Sequence, residues 1–240
     1  MQGYFVGTDA SSPRWLYYRK RTEGQNTLVL NKQNQVLTAL PPTNFGTSGT
    51  VQNSSTVVSI PSDSTAFFTA DLTDTYGGTF VSYVSVASAS LLKHDIFSRS
   101  IKRGIRLLNA RLQVLLQDDI SGSGNDIQWR MHTNATVVTN GTSATLELAG
   151  KQIQVSILNA PSGVTFSTAR PVRYSSDPAL PTGGTDQPND GVTVLVIDIP
   201  AGTNSIQVLF NPQWPNMNSN QFVTPPSVPI DKWSLTSHGQ

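Results

Sequence analysis

The chain has 240 residues, of which 37% are hydrophobic and 13% charged, with a formal net charge of +1 and no cysteine. So balanced a charge excludes the strong field with which basic proteins gather nucleic acid or acidic membrane surfaces, and the missing thiols exclude disulfides and thiolate metal sites. The longest apolar run, residues 192–199, is interrupted by Thr193 and Asp198 and is too short for a membrane-spanning helix, while the length suits one large β domain.

The first informative stretch is residues 3–31, GYFVGTDASSPRWLYYRKRTEGQNTLVLN. Long, strand-prone residues from 14 to 21, turn chemistry at Thr22-Glu23-Gly24 and apolar residues up to 31 predict a β-hairpin. Alternation along a strand then sets Arg14, Leu16, Tyr18 and Lys20 on one face and Trp15, Tyr17, Arg19 and Arg21 on the other. The second face suits an acidic sugar, because guanidinium pairs bidentately with carboxylate and aromatic rings stack on pyranose faces. A plainer reading makes Trp15 and one tyrosine core residues, with the cations solvated above them.

Further along, short strand-like segments recur between turns, at 36–40, 55–60, 65–72, 80–87, 104–108 and 111–117. A later set follows at 127–131, 135–139, 143–148, 151–158, 164–167, 192–199 and 205–210. The spacing is all-β. Ile153, Val155 and Ile157 alternate with Gln152, Gln154 and Ser156, and Ile206 and Val208 flank Gln207, which predicts one dry and one wet face per strand and therefore a second sheet. The fold class expected is a large antiparallel β-sandwich of stacked sheets over 1–212. Residues 88–99 are the one candidate helix, 177–191 read as an exposed loop, and 213–240 form a Pro-rich tail whose Trp214, Phe222 and Trp233 favour partial docking.

The motifs GYF, RWLYYRKRTEGQNTLVLN, TADLTDTYGG, KRGIRLLNARLQVLLQDDI and IQWRMHTNATV, in that order, resemble the C-terminal β-domain of heparinase II/III-like polysaccharide lyases. Residues 78–100 depart from the pattern and read as an insertion. The resemblance implies stacked antiparallel sheets that form one wall of a cleft, opposite an N-terminal (α/α) toroid, in which uronate polymers undergo β-elimination. That chemistry needs a group to neutralise the carboxylate, a base and an acid. The resemblance places these on the toroid and on a histidine upstream of GYF, so none falls at a position in this chain. The domain is expected to be inactive alone, contributing Arg14, Trp15, Tyr18, Arg19, Arg21, Gln25 and Asn26 to binding an acidic polysaccharide, with Tyr17 and His132 as weak catalytic candidates. The alternative is a stand-alone, non-catalytic carbohydrate-binding or self-associating β-protein.

The resemblance also implies zinc, with one ligand the histidine of an EGHNTL-like turn. Gln25 stands there in this chain, an amide is a poor zinc ligand, and no metal is expected. His94 and His238 read as solvated, and His132 as a structural histidine or one facing the cleft. Asp118-Asp119 read as turn-capping or arginine-pairing acids. Sequons at Asn53, Asn134 and Asn140 suggest a secreted glycoprotein, although Met1-Gln2-Gly3 begins no signal peptide. Partners expected are an acidic polysaccharide and a toroid domain or a second copy, with no nucleic acid and no membrane.

Overall fold

The computed structural model describes residues 11–36, 39, 41, 43–47, 50–52, 66–77, 82–83, 93–94, 99–122, 126–203 and 205–239. Its strands are β1 (Leu28–Leu30), β2 (Thr43–Thr47), β3 (Thr50–Gln52), β4 (Phe67–Asp71), β5 (Ser82–Tyr83), β6 (Lys93–His94), β7 (Ser100–Leu108) and β8 (Gln113–Ser121). They continue with β9 (Ile127–Thr133), β10 (Thr136–Asn140), β11 (Ser143–Leu148), β12 (Lys151–Ile157), β13 (Phe166–Ala169), β14 (Thr193–Ile199) and β15 (Ser205–Pro212). Nine strands form one sheet in the order β10-β11-β12-β15-β8-β7-β4-β2-β3, and four form a second in the order β1-β9-β14-β13. Neighbouring strands are antiparallel throughout. The fold is a β-sandwich.

Period-two burial explains the layering. On β12, Val155 and Ile157 are buried and Gln152 and Gln154 exposed; on β14 the buried Leu195, Ile197 and Ile199 face inward. These side chains meet Trp129, Leu28, Ile101, Ile120, Ile206 and Val208 in the main core between the sheets. Burying that apolar surface is the principal stabilising term.

A third layer was not legible in the alternation. Gln207, expected on a wet face, is only 2% exposed, because the chain after β15 returns across the outer face of the large sheet. There the Gln113 and Gln117 side chains donate to the carbonyls of Val223 and Val228 at 3.0 and 2.8 Å, Arg106 donates to those of Ser234 and Leu235, and Asp119 accepts from the Ile230 N–H at 2.6 Å. Ile230 and Trp233 bury against Phe67, Leu108, Leu115 and Leu209. The buried amides are satisfied by tail backbone, which is what makes their burial tolerable.

Several expectations are corrected. The hairpin over 14–31 does not form: short 3-10 helices occupy Pro13–Leu16, Tyr18–Lys20 and Thr22–Gly24, and only Leu28–Leu30 is strand. Ser12 caps the first with its side chain accepting from the Arg14 N–H, and Pro13 starts it, a combination that favours a helical turn. Val36 and Ala39 are not in a strand, and the segment expected at 55–60 lies outside the described residues. Most of 88–99 also lies outside them, but Lys93 and His94 pair with Tyr83 and Ser82 as strand, so they are not helical. Asn109, Ala110 and Arg111 take positive φ in the turn between β7 and β8, so β8 starts at Gln113 rather than 111 and carries Asp118-Asp119 inside the strand.

Candidate functional site

The 3-10 segment lies over the outer face of the small sheet. Several of its backbone donors bond within the 3-10 turns, and two are satisfied from outside the segment: the Tyr18 N–H donates to Asp186 Oδ1 at 2.8 Å and the Thr22 N–H to Asn34 Oδ1 at 2.9 Å. Gly24 is required where it sits, because a Cβ there would lie 2.1 Å from the Tyr18 carbonyl oxygen. The next residues are pinned by both sheets. The Asn26 carbonyl accepts from Arg103, which is itself held bidentately by Asp118 at 2.7 and 2.9 Å, and the Arg130 N–H of β9 donates to the Thr27 carbonyl.

At the centre is a chain of three side chains. Asn26 Oδ1 accepts from the His132 backbone N–H at 2.8 Å and lies 3.1 Å from His132 Nδ1, while His132 Nε2 is 2.7 Å from the Tyr18 hydroxyl. Since Oδ1 only accepts, the proton belongs on Nδ1 and Tyr18 donates to Nε2. Burial, reinforced by the Arg130 charge, lowers the His132 pKa to about 4, so the ring is neutral at neutral pH. Burial raises the Tyr18 pKa against the opposing effect of Arg130, whose Nη2 donates to the hydroxyl at 3.3 Å.

The expected binding residues divide into two groups. Arg21 is buried rather than presented to ligand: it pairs with Glu23 at 2.5 Å and Asp177 at 2.7 Å. Burial pushes the Glu23 carboxyl up to about 7, with Asp177 adding to it. Tyr18 is buried as well, so its hydroxyl serves His132 and not the surface. Arg14 stacks its guanidinium 5.0 Å from the centre of the Trp15 ring, and Tyr17 is half-buried, its hydroxyl against Gly184. Arg19, Gln25 and Asn26 are exposed. Arg19 uses Nε on Asn189 Oδ1 at 2.7 Å and Nη2 on the Pro188 carbonyl at 2.8 Å, and the Gln25 amide donates to the Arg19 carbonyl at 2.9 Å. Beside them runs a groove of about 560 Å³ lined by Tyr18, Arg170, Arg173, Asp186 and Asn189.

The Gln25 side chain is turned onto the Arg19 backbone, and no group of three or more His, Asp or Glu residues fit to hold a metal occurs among the described residues.

His238, expected to be solvated, is 3% exposed; it packs edge-on to Trp233 at 5.1 Å, and burial with Arg106 nearby lowers its pKa to about 4. Sequence reasoning missed Arg130, Glu23, Asp177, Asp186 and Asn189. The available signal was the density of Asp and Asn in the 177–191 loop, which matches the cations of RWLYYRKR. No protein-family model matches this chain, and comparison with curated proteins finds no match either.

Proposed function

We propose that this domain is the β-sandwich part of a heparinase II/III-like polysaccharide lyase, secreted, and that it binds uronate-bearing chains through Arg19, Gln25 and Asn26 without turning them over alone. One observation carries the reading: these three side chains are exposed together on one rim, tied by the Gln25 bond to the Arg19 carbonyl, while Tyr18, Arg21 and Glu23 form a buried frame beneath. The Arg19 guanidinium keeps N–H donors not taken by Asn189 or Pro188, which suits a carboxylate, and the two amides suit sugar hydroxyls. The buried Tyr18 hydroxyl donates to His132 Nε2 beneath the surface, so in this reading the chain supplies binding and the acid and base come from elsewhere.

Titration calorimetry with an oligoglucuronate tests this. Arg19→Ala weakens binding by about 10- to 150-fold, the 1.5–3 kcal/mol of a charge-assisted contact, Asn26→Ala by about 2- to 10-fold, the 0.5–1.5 kcal/mol of a neutral one, and added salt weakens the native chain. Native chain that takes up no uronate oligosaccharide, or both variants binding as native, overturns the proposal. Arg21→Ala acts differently, lowering thermal stability because it strands Glu23 and Asp177.

A further inference from the structure

A larger groove, of about 740 Å³, opens on the same outer face at the opposite end of β9. His132 and Gln128 are four residues apart on that strand, about 13 Å, which separates this groove from the Arg19 rim. Its floor is a row of register partners across three strands, Val29 of β1, Gln128 of β9 and Asp198 of β14. Gln128 donates to Asp198 Oδ1 at 2.8 Å and accepts from the Tyr174 hydroxyl at 3.1 Å. Buried Arg130 stands 5.6 Å from the Tyr174 ring and also donates to its hydroxyl, so the aromatic wall is held from beneath.

The rim is built at a conformational cost. Asn31 and Lys32 both take left-handed φ, +50° and +57°, in the turn closed by the Gln33 N–H on the Leu30 carbonyl at 2.9 Å. Non-glycine residues rarely adopt this conformation, and strain of this kind concentrates at functional sites. It brings the Lys32 ammonium to 5.8 Å from the Tyr174 ring and places Asn31 against Asp126, whose carbonyl accepts the Asn31 N–H at 3.0 Å.

We infer that this groove is a second carbohydrate site, taking an uncharged pyranose chain. Asn31, Asp126 and Asp198 offer amide and carboxylate groups for adjacent hydroxyls, and exposed Pro200 and the half-buried Tyr174 ring offer apolar surface for the C–H face of a ring. Two carboxylates against one ammonium disfavour an anionic sugar here, the reverse of the Arg19 rim. The volume lies within the roughly 300–1,000 Å³ of small-ligand sites.

The test is calorimetric titration of the full chain with tetrasaccharides of glucan, xylan and mannan, alongside tetraglucuronate. One neutral class is expected to bind, with Asp198→Asn and Asp126→Asn each weakening it at least about tenfold and leaving uronate affinity as in the native chain. Arg19→Ala is expected to give the opposite pattern, so failure of either site is separately visible. No heat with any neutral tetrasaccharide, native affinity in both folded variants, or uronate competing for the groove overturns the inference. A melting temperature for each variant identifies loss of fold, and the second variant decides if the first misfolds.

Discussion

Replacement of Trp233 by alanine examines whether the third layer belongs to the cooperative fold. The ring is 8% exposed, stands edge-on to Phe67 at 6.1 Å and to His238 at 5.1 Å, and donates Nε1–H to the Val228 carbonyl at 3.0 Å. An indole buries about 150–250 Å², which at about 25 cal/mol per Å² is roughly 4–6 kcal/mol before relaxation and denatured-state burial reduce it. Measured Trp-to-Ala losses in cores run about 3–5 kcal/mol, so about 4 kcal/mol is expected. In a chain of this size each kcal/mol moves the melting temperature by about 2–4 °C, giving a fall of about 8–16 °C. Gly104→Ala should move it in the same direction, since a Cβ there would sit 2.5 Å from the Trp233 ring and lift it. Thermal unfolding followed by circular dichroism reads both. A fall under about 2 °C for Trp233→Ala would mean that the tail detaches without loss to the sandwich, and the three-layer account would be wrong.

Further outcomes follow from buried charges and close contacts. Asp118→Asn leaves Arg103 buried with its charge unpaired and should cost about 3–5 kcal/mol in urea unfolding, whereas a loss near zero would show the pair to be dispensable. The pH dependence combines opposing groups. His132 and His238, both lowered to about 4, protonate more readily in the unfolded chain, so their contribution to stability is present above about 6.5 and lost as pH falls through about 4. Glu23, raised to about 7, protonates more readily in the folded chain, so its contribution grows as pH falls from about 7 towards 4.5; Glu23→Gln should abolish that gain in unfolding curves between pH 4.5 and 8, and an unchanged profile counts against it. Gly24→Ala, which forces a Cβ onto the Tyr18 carbonyl, should lower both melting temperature and uronate affinity, while native values for both would show that the 3-10 segment is not held as described.

Alternation marks strands that do form in the hairpin over 143–157. Ser143–Leu148 and Lys151–Ile157 combine strand-prone residues with period two, flank the tight turn at Ala149-Gly150, and meet in the antiparallel register Leu148↔Lys151. Local pattern suffices where one face packs and the other is solvated, so the all-β class was legible from sequence, whereas the choice between turn-capping and arginine-pairing at Asp118 fell to Arg103 across the sheet. The N-terminal segment shows where this ends. RWLYYRKR is strand-like in composition, but its backbone is satisfied by local 3-10 bonds and by Asp186 rather than by a hairpin partner, and Arg21 turns inward because Glu23 and Asp177 await it. Asp177 and Asp186 are more than 150 residues away, a separation no local window spans. The same holds for Gln207 and His238, polar residues that read as solvated until the tail crosses the large sheet and covers them. Sequence decided the all-β class and where apolar surface must be hidden; tertiary contacts alone decided which polar groups lose their water, because that depends on what the rest of the chain lays over them.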